Sequence, residues 1–292
     1  RGDEVITPPN SFIASTAAIV HTGARPVLVD VCEDQNINPD LIEASITNNT
    51  KAIMPVHLTG RMARMDAILE ISNKYDIQII EDAAQSAGSC YAGRPSGSWG
   101  TVGCFSTHPL KNLNACGDGG FVTTYDGDIA ERIRQLRNHG LISRDTVSNF
   151  GSVSRMDEIQ AAILGYRLKG LNRVVQRRRE NASLYRSILD LDVIFHPAET
   201  LLEFNTWHTF VIQVDRRDEL QEYLRSENIE TSVHYPVPIH LQPASIALGY
   251  RQGDFPITER QASRILTLPI HQNLSEEEVN RVAITINSYF GC

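Results

Sequence analysis

A lysine and an aspartate stand out among the side chains of this sequence for the chemistry they can do together. Lys111 lies in a turn after an apolar run, within Cys104-Phe105-Ser106-Thr107-His108-Pro109-Leu110-Lys111-Asn112. Asp82 ends another apolar run, within Glu81-Asp82-Ala83-Ala84-Gln85. A lysine in an apolar, cation-rich pocket loses proton affinity and can attack an aldehyde. A carboxylate facing a pyridine nitrogen keeps that nitrogen protonated, so the ring accepts electrons. The pair therefore suits pyridoxal 5'-phosphate. Gln85 is spaced to hydrogen-bond the ring's phenolic oxygen, Ala83 and Ala84 are small enough for a flat ring to rest on, and Ser106 can donate to a phosphate oxygen. Each has a plainer use: a solvated lysine, an aspartate capping a helix, a serine ending a strand. Their concurrence favours the chemical reading.

These residues need a scaffold that brings strand ends together. Arg25 to Val31, Lys51 to Leu58, Ile77 to Ile80 and Gly103 to Thr107 are short, apolar and β-branched-rich, as buried strands are. Pro39 to Ile46 and Met65 to Tyr75 show helical spacing, with Ile68, Ile71 and Tyr75 on one face. Strand, helix, strand at this spacing predicts right-handed crossovers and a mainly parallel sheet, with ligands beyond the strands' carboxyl ends. The glycines of Gly117-Asp118-Gly119-Gly120 are expected to allow tight turns and close approach to a cofactor. Phe121 to Tyr125 follows as a strand.

From Arg155 a long helical pattern is expected, with Met156, Ile159, Ile163 and Tyr166 along one stripe. It continues through Arg173 to Arg179, a solvated face, with a break near Gly165 or Gly170. The chain is accordingly divided into a large unit over 1–170 and a linker helix with a smaller α/β unit over 171–292. In the latter, Thr209 to Val214 alternates like a half-buried strand, Asp218 to Arg225 reads as helix and Glu230 to Tyr235 as extended. A capping box at Ser275 and Glu278 opens the last helix, which should bury Val279, Val282, Ile286 and Phe290.

The chain has 292 residues, a formal charge of −8 and 41% hydrophobic residues. Such an acidic balance disfavours nucleic acid and anionic membranes as partners, so an anionic substrate would need a local basic pocket. Five cysteines without ligand spacing give no metal site and suit a reducing compartment. Signal peptide, membrane-spanning run and internal repeat are all missing from the pattern, which makes the cytoplasm the expected location. The sequence opens directly on a strand, Gly2-Asp3-Glu4-Val5-Ile6, and reads as a chain whose first segment precedes Arg1.

The ordered motifs resemble those of the DegT/StrS-type sugar aminotransferases, which share the fold type I architecture of aspartate aminotransferase. Besides the two stretches above, they include Gly2-Asp3-Glu4-Val5-Ile6, Arg137-Asn138-His139-Gly140, Arg155-Met156-Asp157-Glu158-Ile159-Gln160-Ala161-Ala162 and His234-Tyr235-Pro236-Val237-Pro238-Ile239-His240, so the likeness covers essentially the whole chain. The resemblance implies that Lys111 carries pyridoxal 5'-phosphate covalently, Asp82 pairs with its ring nitrogen, Gln85 reaches the phenolic oxygen and Ser106 the phosphate. It implies transfer of an amino group from glutamate to a keto group of a nucleotide-linked sugar, in a homodimer. Lys111 favours transamination over the dehydrating branch, which has histidine there. His108, His234, Tyr235 and His240 are implied near the sugar-nucleotide pocket, although a structural role for the histidines weighs about equally, and His57 is expected to be structural. Asn10 stands where many members stack an aromatic residue on the ring, and Val153 where many have an asparagine reaching the partner's phosphate. A phosphate-cradling turn is expected ahead of Arg1. Two alternatives stay open: another lyase-type reaction on the same fold, or a non-catalytic fragment or regulatory relative.

Overall fold

The computed structural model describes residues 1–291. Its centre is a six-stranded sheet built from β1 (Glu4–Thr7), β2 (Arg25–Leu28), β3 (Thr50–Ile53), β4 (Gln78–Asp82), β7 (Val102–Ser106) and β8 (Gly120–Thr123). The order is β2-β1-β3-β4-β7-β8, and every neighbouring pair is parallel except β7 and β8. Two short strands, β5 (Cys90–Tyr91) and β6 (Arg94–Pro95), form a separate ribbon. The chain moves from β1 out to β2, then returns past β1 to β3. That reversal opens a crevice at the carboxyl ends of the strands.

The sheet is covered by α1 (Ile13–His21) and α2 (Met65–Tyr75), with α3 (Gly127–Leu136) after β8. Met65, Ile68 and Ile71 of α2 face inward and join Ile6, Ile53 and Ile79 of the strands in one cluster. Each such side chain contributes about 1.5–3 kcal/mol on burial. Tyr75, expected on that face, is instead exposed. The helix expected over Pro39 to Ile46 is two single 3-10 turns, Pro39–Leu41 and Glu43–Ser45. Asn38 caps the first by accepting from Asp40 N, and neither turn propagates.

A hairpin, β9 (Leu141–Ser143) and β10 (Thr146–Val147), precedes α4 (Glu158–Leu168) and α5 (Leu171–Ile188), which break at Gly170. The expected stripe on α4 does not face a core: Ile159 is 69% and Tyr166 79% exposed, while Leu164 is buried. In α5, Leu171, Val175, Arg178, Ala182 and Tyr185 repeat at three and four residues and are buried.

After β11 (Glu203–Phe204), which pairs with β5, come β12 (Phe210–Gln213), α6 (Arg217–Ser226), α7 (Pro256–Arg264), β13 (Ile265–Leu268) and α8 (Glu276–Phe290). β12 and β13 are antiparallel and share a second cluster with α5, α6 and α8 that includes Phe210, Leu220, Leu266, Val279 and Ile286. α8 begins with the expected box, in which Ser275 N donates to Glu278 Oε2 at 2.8 Å and Glu278 N to Ser275 Oγ at 3.2 Å. Phe290 is only partly buried. Over Glu230 to Tyr235 the extended segment makes a single bridge, Ser232 to Thr267. We propose a division near 170–171, on the ground that the two large clusters lie on either side of it in sequence. Among the described residues, no helix is long and apolar enough to cross a membrane, and no group of three or more His, Cys, Asp or Glu side chains is arranged to hold a metal ion.

Candidate active site

Asp82 and Lys111 come from neighbouring parallel strands. Asp82 is the last residue of β4 and pairs with Cys104 of β7, and the turn holding Lys111 follows β7. Both groups therefore lie at the carboxyl end of the sheet. The turn is tied back by Lys111 N to His108 O (2.8 Å), Ala115 N to Thr107 O (2.7 Å) and Thr107 N to Gly119 O (2.9 Å).

Asp82 is held from two sides. Ser15 Oγ donates to Oδ2 at 2.6 Å, and Ala84 N donates to Oδ1 at 3.1 Å. No helix follows Asp82, so its capping is confined to a local turn. Burial lowers the proton affinity of the half-buried Lys111 amine below the usual lysine range, while the charge of Asp82 pulls it back up. The charge of Asp82 therefore reaches the Lys111 amine.

Gln85 accepts from Thr59 N through Oε1 at 2.8 Å. A backbone N–H can bond only the amide oxygen, so the Gln85 NH₂ is the end left to donate. The phenol of Tyr235 faces Gln85, and its pKa is pushed up to about 12 by burial and by the charge of Asp82, against the Gln85 hydrogen bond. Ser106 Oγ accepts from His108 N at 3.3 Å and keeps its own proton to donate. Asn10, at the carboxyl end of β1, is buried, and its Nδ2 has no protein partner.

The four residues of the proposed substrate set separate. His234 and Tyr235 lie at the site: burial and the charge of Lys111 lower the pKa of His234, whose Nδ1 is 2.9 Å from Thr267 Oγ1. Tyr235 packs against Phe12 with ring centroids 5.8 Å apart. Ile239 N donates to Pro9 O at 2.9 Å, laying this segment beside the end of β1. His108 accepts from Leu110 N through Nδ1 and sits at the rim, partly exposed. His240 is buried, with Nε2 bound to Glu259 Oε1 at 2.9 Å; Glu259 also gathers Gly253 N. That ring is committed to a loop anchor.

His57 is structural: its Nε2 lies 3.0 Å from Glu81 Oε2, and both side chains are wholly buried. Burial pushes the Glu81 carboxyl up, but hydrogen bonds from His57, Gly100 and Gly97 outweigh it and hold it below the carboxylate range. The glycines after Lys111 approach protein atoms. A Cβ at Gly120 would lie 2.5 Å from Phe105 O, and one at Gly119 would lie 2.8 Å from Thr107 Oγ1.

Three contributors escaped the sequence reading. Ser15 lies on α1, whose Ser-Thr-Ala-Ala stretch lacks a strong apolar stripe. Arg178, expected to be solvated, is buried, and its Nη1 donates to Trp207 O, His208 O and Ile270 O at 3.0, 3.1 and 2.7 Å; burial lowers its pKa to about 10. His208 places Nε2 at 3.5 Å from Lys111 Nζ. Gly60 admits this segment: at φ 91°, a Cβ there would meet Thr206 Oγ1 at 2.7 Å and His208 N at 2.9 Å. A cavity of about 670 Å³ adjoins Lys111, and its lining includes Arg167, Lys169, Arg178 and His271 but neither aspartate nor glutamate.

The aminotransferase family model described as DegT/DnrJ/EryC1/StrS matches residues 1–287. The chain belongs to that family. It is 41% identical over 290 residues to the dTDP-3-amino-3,4,6-trideoxy-alpha-D-glucose transaminase of Streptomyces venezuelae, covering 99% of this chain and 76% of the relative. It is 45% identical over 289 residues to the dTDP-3-amino-3,6-dideoxy-alpha-D-galactopyranose transaminase of Aneurinibacillus thermoaerophilus, covering 99% and 79%. Among solved structures it matches S. venezuelae DesV with a TM-score of 0.97 and 41% identity, over 100% of this chain and 79% of that one. It also matches the PLP form of the sugar aminotransferase Spr1654 of Streptococcus pneumoniae with a TM-score of 0.91 and 28% identity, over 98% and 80%. The DegT/DnrJ/EryC1/StrS chain thus has the fold type I architecture, and its family depends on pyridoxal phosphate.

The residues present fit that group. An amine and a carboxylate lie at the carboxyl ends of adjacent strands, Ser106 keeps a hydroxyl proton to donate, Gln85 points its donating NH₂ to the same side as Tyr235, and the buried Asn10 Nδ2 is a donor without a protein acceptor.

Proposed function

We propose that this chain transfers an amino group from glutamate to the keto carbon of a nucleotide-linked sugar, using pyridoxal 5'-phosphate held by Lys111, Asp82, Gln85, Ser106 and Asn10. The observation that carries the reading is the placement of Lys111 and Asp82 at adjacent strand ends, where the charge of Asp82 reaches the amine and Ser15 fixes the carboxylate. When bound, the cofactor supplies an electron sink for a carbanion at the substrate carbon. Asp82, held as an acceptor by Ser15 and Ala84 N, keeps the ring nitrogen protonated. Lys111 Nζ would hold the cofactor and, when free, would serve as the base that moves a proton between the substrate carbon and the cofactor C4′; burial lowers its proton affinity, in the direction that favours such a base. Gln85 orients the ring by donating from its NH₂, and Ser106 by donating its hydroxyl proton to phosphate. His234 and Tyr235 lie within reach of the charges of Lys111 and Asp82, and on this reading they meet the sugar.

An acidic protein needs a local basic surface for a nucleotide diphosphate, and the cavity beside Lys111 has that character. The same reading includes a homodimer. Its support is the exposed apolar side of the β9–β10 region, where Ile142, Val147, Phe150 and Val153 all face outward. Purified protein loaded with pyridoxal phosphate should be yellow, and borohydride should fix the group on Lys111. With glutamate and a keto-sugar nucleotide it should release 2-oxoglutarate and aminosugar in equal amounts. Release of carbon dioxide, or turnover without an amino acceptor, would mark a lyase instead.

A further inference from the structure

We propose that His208 is a positioning residue for the Lys111 amine, giving it one fixed hydrogen bond whenever it is not bound to the cofactor. This rests on the proposed role of Lys111 and adds to it a device for steering the free amine. Lys111 ends in a flexible chain of four methylenes, which loses reach if it can swing in its pocket. The only hydrogen-bond contact of its amine is His208 Nε2, at 3.5 Å, among the described residues.

The backbone that carries the imidazole is held on several sides. His208 follows the buried Trp207 and leads into β12, and Arg178 donates to the carbonyls of both Trp207 and His208. Gly60 packs against His208 N, and Thr209 N donates to Thr59 O at 3.3 Å. Its Nδ1 is sealed from solvent and has no partner, so Nε2 is the one ring atom in use.

The groups whose charges reach His208 are Lys111, Arg178, His234 and His108, all basic. Burial first, and then those basic groups, hold the ring neutral. A neutral imidazole can accept from an ammonium or pair with a neutral amine without adding a charge. It binds the ammonium more strongly, so it also keeps the amine's proton affinity from falling as far as burial alone would take it.

The test uses protein stripped of cofactor, so it does not depend on the reaction assigned above. Lys111 is labelled with trinitrobenzenesulfonate across a pH series and quantified by peptide mass spectrometry. In His208→Phe the midpoint of labelling should fall by about half a pH unit or more, because the buried ammonium loses its acceptor. His208→Gln, whose amide reaches the place of Nε2, should restore the midpoint. In loaded enzyme, His208→Phe should lower kcat about tenfold with little change in KM, and Gln should recover most of it. If the Phe variant does not fold, His208→Asn carries the same expectation, since its shorter amide falls short of Nζ. An unchanged labelling midpoint in a folded Phe or Asn variant overturns the proposal. A shifted midpoint in a protein that does not transaminate would support it while removing the aminotransferase reading.

Discussion

Ser15 Oγ donates to Asp82 Oδ2 across 2.6 Å, joining the first turn of α1 to the end of β4. The bond sets which way the carboxylate faces. Removing it with Ser15→Ala leaves the acid in place but free to turn. A hydrogen bond to a charged group contributes about 1.5–3 kcal/mol, so we expect cofactor affinity to fall by about tenfold or more. Equilibrium titration with pyridoxal phosphate measures it, and Ser15→Thr should recover part of the loss.

On the proposed assignment, Lys111→Ala removes both the covalent link and the base. Transamination should drop by about a thousandfold or more, and borohydride should no longer fix the cofactor. A variant that keeps its rate would end the assignment of Lys111.

His240→Gln separates an anchor from a substrate ligand. The ring is buried against Glu259. Weakening that contact should cost about 1–3 kcal/mol of stability, read by urea unfolding, with KM for the sugar nucleotide nearly unchanged. A large rise in KM at unchanged stability would return His240 to the substrate pocket.

Acid should destabilise the fold through histidines that folding keeps neutral. Burial lowers the pKa of His196 from 6.5 to about 4, and that of His208 well below 6.5. Below pH 6.5 the unfolded chain takes up protons that the folded chain refuses, so stability is lost as pH falls from 6.5 towards 4. Each such histidine contributes a slope of at most about 1.4 kcal/mol per pH unit. Urea unfolding at pH 7 and pH 5 should show the loss, and His196→Asn should reduce it.

The sheet and the central pair were legible because they depend on short-range pattern. Apolar runs such as Ile77 to Ile80 mark buried strands, and a lysine in a turn after one is readable from chain order alone. Residues that act across the fold were harder to see. Ser15 is 67 positions from Asp82, and His208 is 97 from Lys111. Arg178 looked solvated because a run of arginines gives no sign of which member turns inward to the carbonyls of Trp207, His208 and Ile270. Ile159 and Tyr166 had core-like spacing, but α4 packs chiefly through Leu164.

The pairing of Asp82 with Cys104 makes the ladder between β4 and β7 a ruler for the candidate site. Strand spacing is fixed by backbone hydrogen bonds and is indifferent to side chains. The turn that follows β7 and the segment around His234 lie outside that measurement, and they can vary without changing the spacing of the two strands. The sheet thus holds acid and amine in register while the surrounding loops are left to differ.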